Sequence, residues 1–232
     1  MNDILKEAEA DLAQEKLRVF FQKHTGKLVG SVVVLLLAAA GGSWIQNQKQ
    51  EKLEALNVQY HAAEKFIADN AFAEASNTLD ALGDQEGEHG FGTLARFRKG
   101  SLLVMQNRDE EAQKLYIKLS NDSAISPLLR DYATILYAYS ALNAPTGLDA
   151  PLTSALTKII AAKGAWQFAA QEILALQSLQ ELQKISNPDK KRVQETAEKF
   201  QALSEEAEAP RAMQQRVEAI LTVLPQLLKT QQ

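Results

Sequence analysis

The sequence predicts an all-α protein: an N-terminal amphipathic helix, a single transmembrane helix, then an α-solenoid of about four helical hairpins closed by a capping helix. Three observations carry this reading. Leu28 to Ile45 is a run of eighteen residues without a formal charge, and at about 1.5 Å per helical residue it nearly crosses a hydrocarbon core of about 30 Å. Beyond it, apolar residues recur at steps of three and four, with no sustained alternation that would mark strands. Finally, a set of small and large residues returns 37 positions later with its internal spacing unchanged.

Residues 1–27 form the first part. Ile4, Ala8 and Leu12, continued by Val19 and Phe20, share one helical stripe, with charges of both signs on the neighbouring faces. A surface-lying or self-packed amphipathic helix and a docking helix for a partner both fit that pattern.

Residues 28–45 form the second part. Ala38-Ala39-Ala40 has the small side chains of a signal-peptidase site, but a signal n-region is short and basic. Here Asp3, Glu7, Glu9, Asp11 and Glu15 precede the run beside five basic residues. An uncleaved anchor is therefore expected, with Trp44 at the headgroup level. Lys16, Arg18, Lys23 and Lys27 precede the span against Glu15 alone, whereas Lys49 and Lys52 beyond it alternate with Glu51 and Glu54. By the positive-inside rule the N-terminus stays cytoplasmic and the body is exported, to the periplasm in a bacterium. Gly26 and Gly30 make a GxxxG step, and Ala38 with Gly42 repeats the small-xxx-small spacing, a groove suited to membrane-helix packing by self-association or against another subunit.

Residues 46–232 form the exported domain. A stripe of Leu53, Leu56, Tyr60, Ala63 and Ile67 extends a helix to about Ala68. Ala63, Phe66, Ala75, Leu79 and Leu82 then recur as Gly100, Leu103, Ala112, Tyr116 and Leu119. A small residue on the first helix of each pair admits the second helix closely, and large residues one turn on fill the groove. Turns are expected at Asp69-Asn70 and Asn107-Arg108, and a connector across Gly83 to Gly92. Looser hairpins follow. Pro127 to Leu142 pairs with a helix carrying Ala155, Ile159 and Ala162, and Ala165 to Lys184 pairs with Pro188 to Glu206 carrying Val193, Ala197 and Phe200. Pro210 to about Leu228 caps the open end. Proline at the first helical turn is expected at Pro127, Pro188 and Pro210.

These paired helices resemble the tetratricopeptide repeat, a helix-turn-helix unit with a period near 34. With the charged N-terminal helix, the span from Leu28, the segment Trp166 to Leu176 (WQFAAQEILAL), Pro210-Arg211 and Arg216, the chain resembles the ancillary SecYEG translocon subunit family. That resemblance implies a single-pass inner-membrane protein whose periplasmic repeats associate with the SecYEG export channel and a periplasmic folding factor, aiding handover of translocated chains. The alternative is a structural organiser of envelope or cell-division machinery.

Chemistry is sparse. His24, His61 and His89 are isolated, with no second ligand at metal spacing. Gly87, Gly90 and Gly92 lack the preceding strand and following Lys-Ser/Thr of a phosphate loop. The chain has no cysteine, a net charge of −4 and no basic run, which disfavours nucleic-acid binding. No enzymatic activity, metal or cofactor is expected. Tyr137, off a proposed core stripe of Leu129, Tyr132, Leu136 and Tyr139, is the candidate partner contact on the repeat face, with packing between helices as its other reading.

Overall fold

The computed structural model describes residues 48, 50–85, 90–142, 144, 147–185 and 188–224. The chain divides into two units, Met1–Val58 and Gln59–Gln232. The described part of the first is helical from residue 50 to 58. Gly26, Gly30, Ala38 and Gly42, together with the whole 28–45 run, lie outside the described residues. No helix among the described residues is long and apolar enough to cross a membrane.

All regular structure described in the second unit is helical. Residues 59–68 are helical and form α1. There follow α2 (Phe72–Gly83), α3 (Phe91–Met105), α4 (Asp109–Ser120), α5 (Pro127–Leu142), α6 (Ala150–Ala161), α7 (Gln167–Gln183), α8 (Lys190–Glu205) and α9 (Arg211–Val223). From α2 to α9 each helix packs on its neighbour in the chain, and α5 also packs on α7.

The first two hairpins close as their spacing predicts. Asn70 (φ 58°) and Asn107 (φ 59°) both adopt the left-handed conformation. The amides of Asn70 and Ala71 donate to the carbonyls of Ile67 and Phe66, and those of Asn107 and Arg108 to Val104 and Leu103. This is the same Schellman closure twice, with asparagine in the slot where glycine is usual. Inside the second hairpin a Cβ on Gly100 would lie 2.4 Å from Tyr116 Cε1 and 2.6 Å from its Cζ. Only hydrogen at position 100 lets the ring lie there, so the small-to-large pairing read from the sequence is a physical contact. In the first hairpin Ala63 and Leu79, at the matching positions, are both buried.

The third hairpin uses a shifted register. On α6 the buried positions are Leu152, Leu156 and Ile159, while Ala162 is exposed. The steps of four and seven thus begin three residues before the expected Ala155. Small residues come from the opposite helix instead: Ala138 and Ala141 of α5 share one core with those three side chains. On α8 Val193 and Phe200 are buried as expected and Ala197 is half-buried against the same core, with Thr196 and Leu203 buried beside them. Thr196 fits an apolar slot because its hydroxyl donates to the Arg192 carbonyl one turn back, at 2.9 Å.

Proline placement is also corrected. Pro127 does open α5, but α8 is capped by Asp189, whose side chain accepts from the Arg192 amide, and Pro210 is itself the N-cap of α9. Asp149 caps α6 in the same way, accepting from the Leu152 amide at 2.8 Å.

Candidate interaction face of the odd-numbered helices

Side-chain contacts link the odd-numbered helices into one continuous layer. Arg98 of α3 pairs with Glu64 of α1. The rings of Phe97 (α3) and Tyr132 (α5) lie 5.2 Å apart, and Tyr132 stacks on Trp166, the N-cap of α7, at 4.6 Å. The Trp166 indole N–H donates to the Leu128 carbonyl and the Gln180 amide to the Leu142 carbonyl, each at 2.9 Å and each across 38 residues. Two bonds with equal sequence separation at opposite ends of α5 require α5 and α7 to run parallel and in register. This arrangement is consistent with an α-solenoid.

Two ion pairs of similar composition hold this layer. In one, Glu172 of α7 is buried at 2 % exposure. The Arg216 guanidinium of α9 donates through Nε to Oε1 and through Nη2 to Oε2, both at 3.0 Å, and Tyr139 Oη of α5 donates to Oε2 at 2.9 Å. The fork of two parallel N–H bonds matches the carboxylate, and the phenol satisfies a further lone pair. The Arg216 side chain is 56 % exposed, so it covers the carboxylate from the solvent side. Burial, then the charge and hydrogen bond of Glu172, pushes the Tyr139 hydroxyl far above its usual range. The hydrogen bond to Glu172 raises Arg216.

In the other, Arg98 Nη2 donates to Glu64 Oε2 at 2.7 Å while Nε donates to Oε1. The Arg98 hydrogen bond, with help from its charge and the Tyr60 hydroxyl, holds the Glu64 carboxyl below the usual range against its burial. Burial, then Glu64, raises the Tyr60 hydroxyl. The pair is partly exposed, with side chains at 26 % and 34 %, so solvent reaches its carboxylate as it does not reach Glu172. Between the two pairs the layer presents apolar side chains to solvent: Leu94 on α3, and Leu128 and Leu129 on α5.

Tyr137 packs against two core clusters, one of α3–α5 and one centred on α5–α7. It is half-buried, and burial, then the Asp149 charge, raises its hydroxyl. The expected core stripe shifts with it. Leu129 is exposed and Tyr132, Leu136 and Tyr139 are half-buried, while Ala133, Ile135, Ala138 and Ala141 are buried. Small residues take the interior of α5 because helices press on it from both sides. His61 is exposed on α1, and His24 and His89 lie outside the described residues. Among the described residues no cluster of His, Cys, Asp or Glu could hold a metal ion.

Sequence reasoning missed the Glu172–Arg216–Tyr139 site. Its signal was a lone acid inside the apolar run Phe168 to Leu176, which has to find a cation if that run is core. The chain matches no family model, no curated protein and no solved structure.

Proposed function

We propose that the chain is a membrane-anchored scaffold of tetratricopeptide-like hairpins whose exported repeats bind protein segments beside the SecYEG export channel and pass translocated chains to a periplasmic folding factor. The observation that carries the repeat reading is the recurrence of the Asn70 and Asn107 turns at 37 residues, each closing a hairpin with the same hydrogen bonds. A layer of odd-numbered helices carrying exposed Leu94, Leu128 and Leu129 beside the Tyr132–Trp166 stack supports a role in holding peptide segments, since repeat arrays offer extended binding surfaces of stacked helices. The uncharged run Leu28 to Ile45 and its basic N-terminal flank supply the anchor and its orientation.

Mild detergent extraction followed by co-purification tests the reading. Channel components are expected with the native chain and lost when Leu28 to Ile45 is exchanged for an unrelated span. A reporter fused after Gln232 and active only in the cytosol would overturn it.

A further inference from the structure

We infer that the cleft between α6 and α8, floored by α7, is a docking groove for an amphipathic helix of a protein partner, distinct from the odd-numbered layer. The cleft, of about 350 Å³, is lined by Ile160 of α6, Leu174 and Ala175 of α7, and Ala202 and Leu203 of α8. Two opposite charges flank the apolar lining along α8: Lys199, and Glu206 at the C-cap. Neither has an ion-pair partner among the described residues. The Lys199 ammonium donates to Ser178 Oγ at 2.7 Å, a neutral acceptor, and Glu181 and Glu195 lie beyond it in the adjoining pocket.

The groove also decides the backbone form of its occupant. Gln171 is the one uncharged polar side chain in the lining. An extended peptide would bury main-chain amides and carbonyls there without partners, which is costly. A helix brings its own hydrogen bonds and offers an apolar stripe, the helix-in-groove mode. Seven residues separate Lys199 from Glu206, about 10 Å or two turns at the helical rise. The complementary helix therefore carries an acid and a base seven positions apart, with apolar residues three and four positions in between. Lys199 takes the acid and Glu206 the base.

A fluorescent helical peptide of about sixteen residues with Glu and Lys seven apart and leucines between tests this against the purified full-length chain by anisotropy. Saturable binding is expected. It should weaken about five- to tenfold for Lys199→Glu and recover when the peptide's Glu is replaced by Lys. Ala202→Trp, which fills the cleft, should abolish binding. Circular dichroism melts within a few degrees of the native chain show that both variants are folded. No saturable binding, equal binding to Ala202→Trp, or equal affinity for a peptide with both charges removed would overturn the proposal. A concentration-dependent dimer of the unliganded chain that Ala202→Trp dissolves would overturn it too, assigning the groove to a second copy. These outcomes are independent of any export-channel association.

Discussion

At the scale of single residues, the Gly100–Tyr116 contact shows how one atom sets a helix–helix distance. Alanine is the better helix former by about 1 kcal/mol, yet its methyl would enter the space of a fully buried ring. Overpacking costs typically about 1–3 kcal/mol, so Gly100→Ala is expected to destabilise the chain in urea titrations. Pairing it with Tyr116→Leu recreates the Ala63 and Leu79 combination of the first hairpin, and the double variant should be more stable than the sum of the single losses allows. Additive losses would mean that the two positions do not share the space. The Glu172 site invites a similar cycle. Arg216→Met leaves a buried carboxylate with Tyr139 alone and is expected to cost about 2–3 kcal/mol. Adding Glu172→Leu should recover most of that loss, because the uncompensated charge is gone.

Two titrations follow from these groups. Glu64 has a folded pKa below its ordinary value of 4.5. Its contribution is therefore fully present above that value and is lost as pH falls through the folded pKa. The stability gap between the native chain and Glu64→Gln should close on acidification below about pH 4.5 and stay constant near neutrality. Tyr139 is the opposite case, a neutral phenol held above its ordinary 10.0. The folded state keeps a proton that the unfolded chain releases, so stability should fall as pH rises past 10, with a shallower fall for Tyr139→Phe. An identical slope in both proteins would contradict the placement of that hydroxyl against Glu172.

Among the elements, turns and caps carry the testable content. Asn70 and Asn107 occupy the left-handed region, where a β-branched side chain is penalised by about 1–2 kcal/mol and glycine is at ease. Asn107→Gly should leave the thermal midpoint nearly unchanged and Asn107→Ile should lower it. Loss of the Asp149 cap in Asp149→Ala should cost about 1 kcal/mol and raise amide exchange in the first turn of α6. Helix existence was legible in the sequence because the three-and-four periodicity is local, and α5 was bounded correctly from Ser126-Pro127. Register in the third hairpin was not. Ala155 looked like a small-slot residue, but the space it would have made is supplied by Ala138 and Ala141 on another helix. Periodicity within one helix cannot reveal which partner contributes the small side chain.

Across the whole second unit, the odd-numbered helices are joined by contacts between residues more than thirty positions apart, from Glu64–Arg98 through Tyr132–Trp166 to Glu172–Arg216. Apart from Glu172, a lone acid in an apolar run, none of these residues stands out locally, and no local pattern names their partners. Its exposed leucines beside a stacked tryptophan give the second unit an apolar surface, while the α6–α8 cleft opens between even-numbered helices. The proposed scaffold role rests on the first of these surfaces being the one that meets translocating protein. A photo-crosslinking side chain placed at Leu128 in intact cells tests that most directly, with one at exposed Lys118 on α4 as the control. Adducts with export-channel subunits or emerging chains from position 128, and few from 118, are expected. Equal adducts from both positions, or adducts with cytosolic proteins alone, would contradict the proposed role.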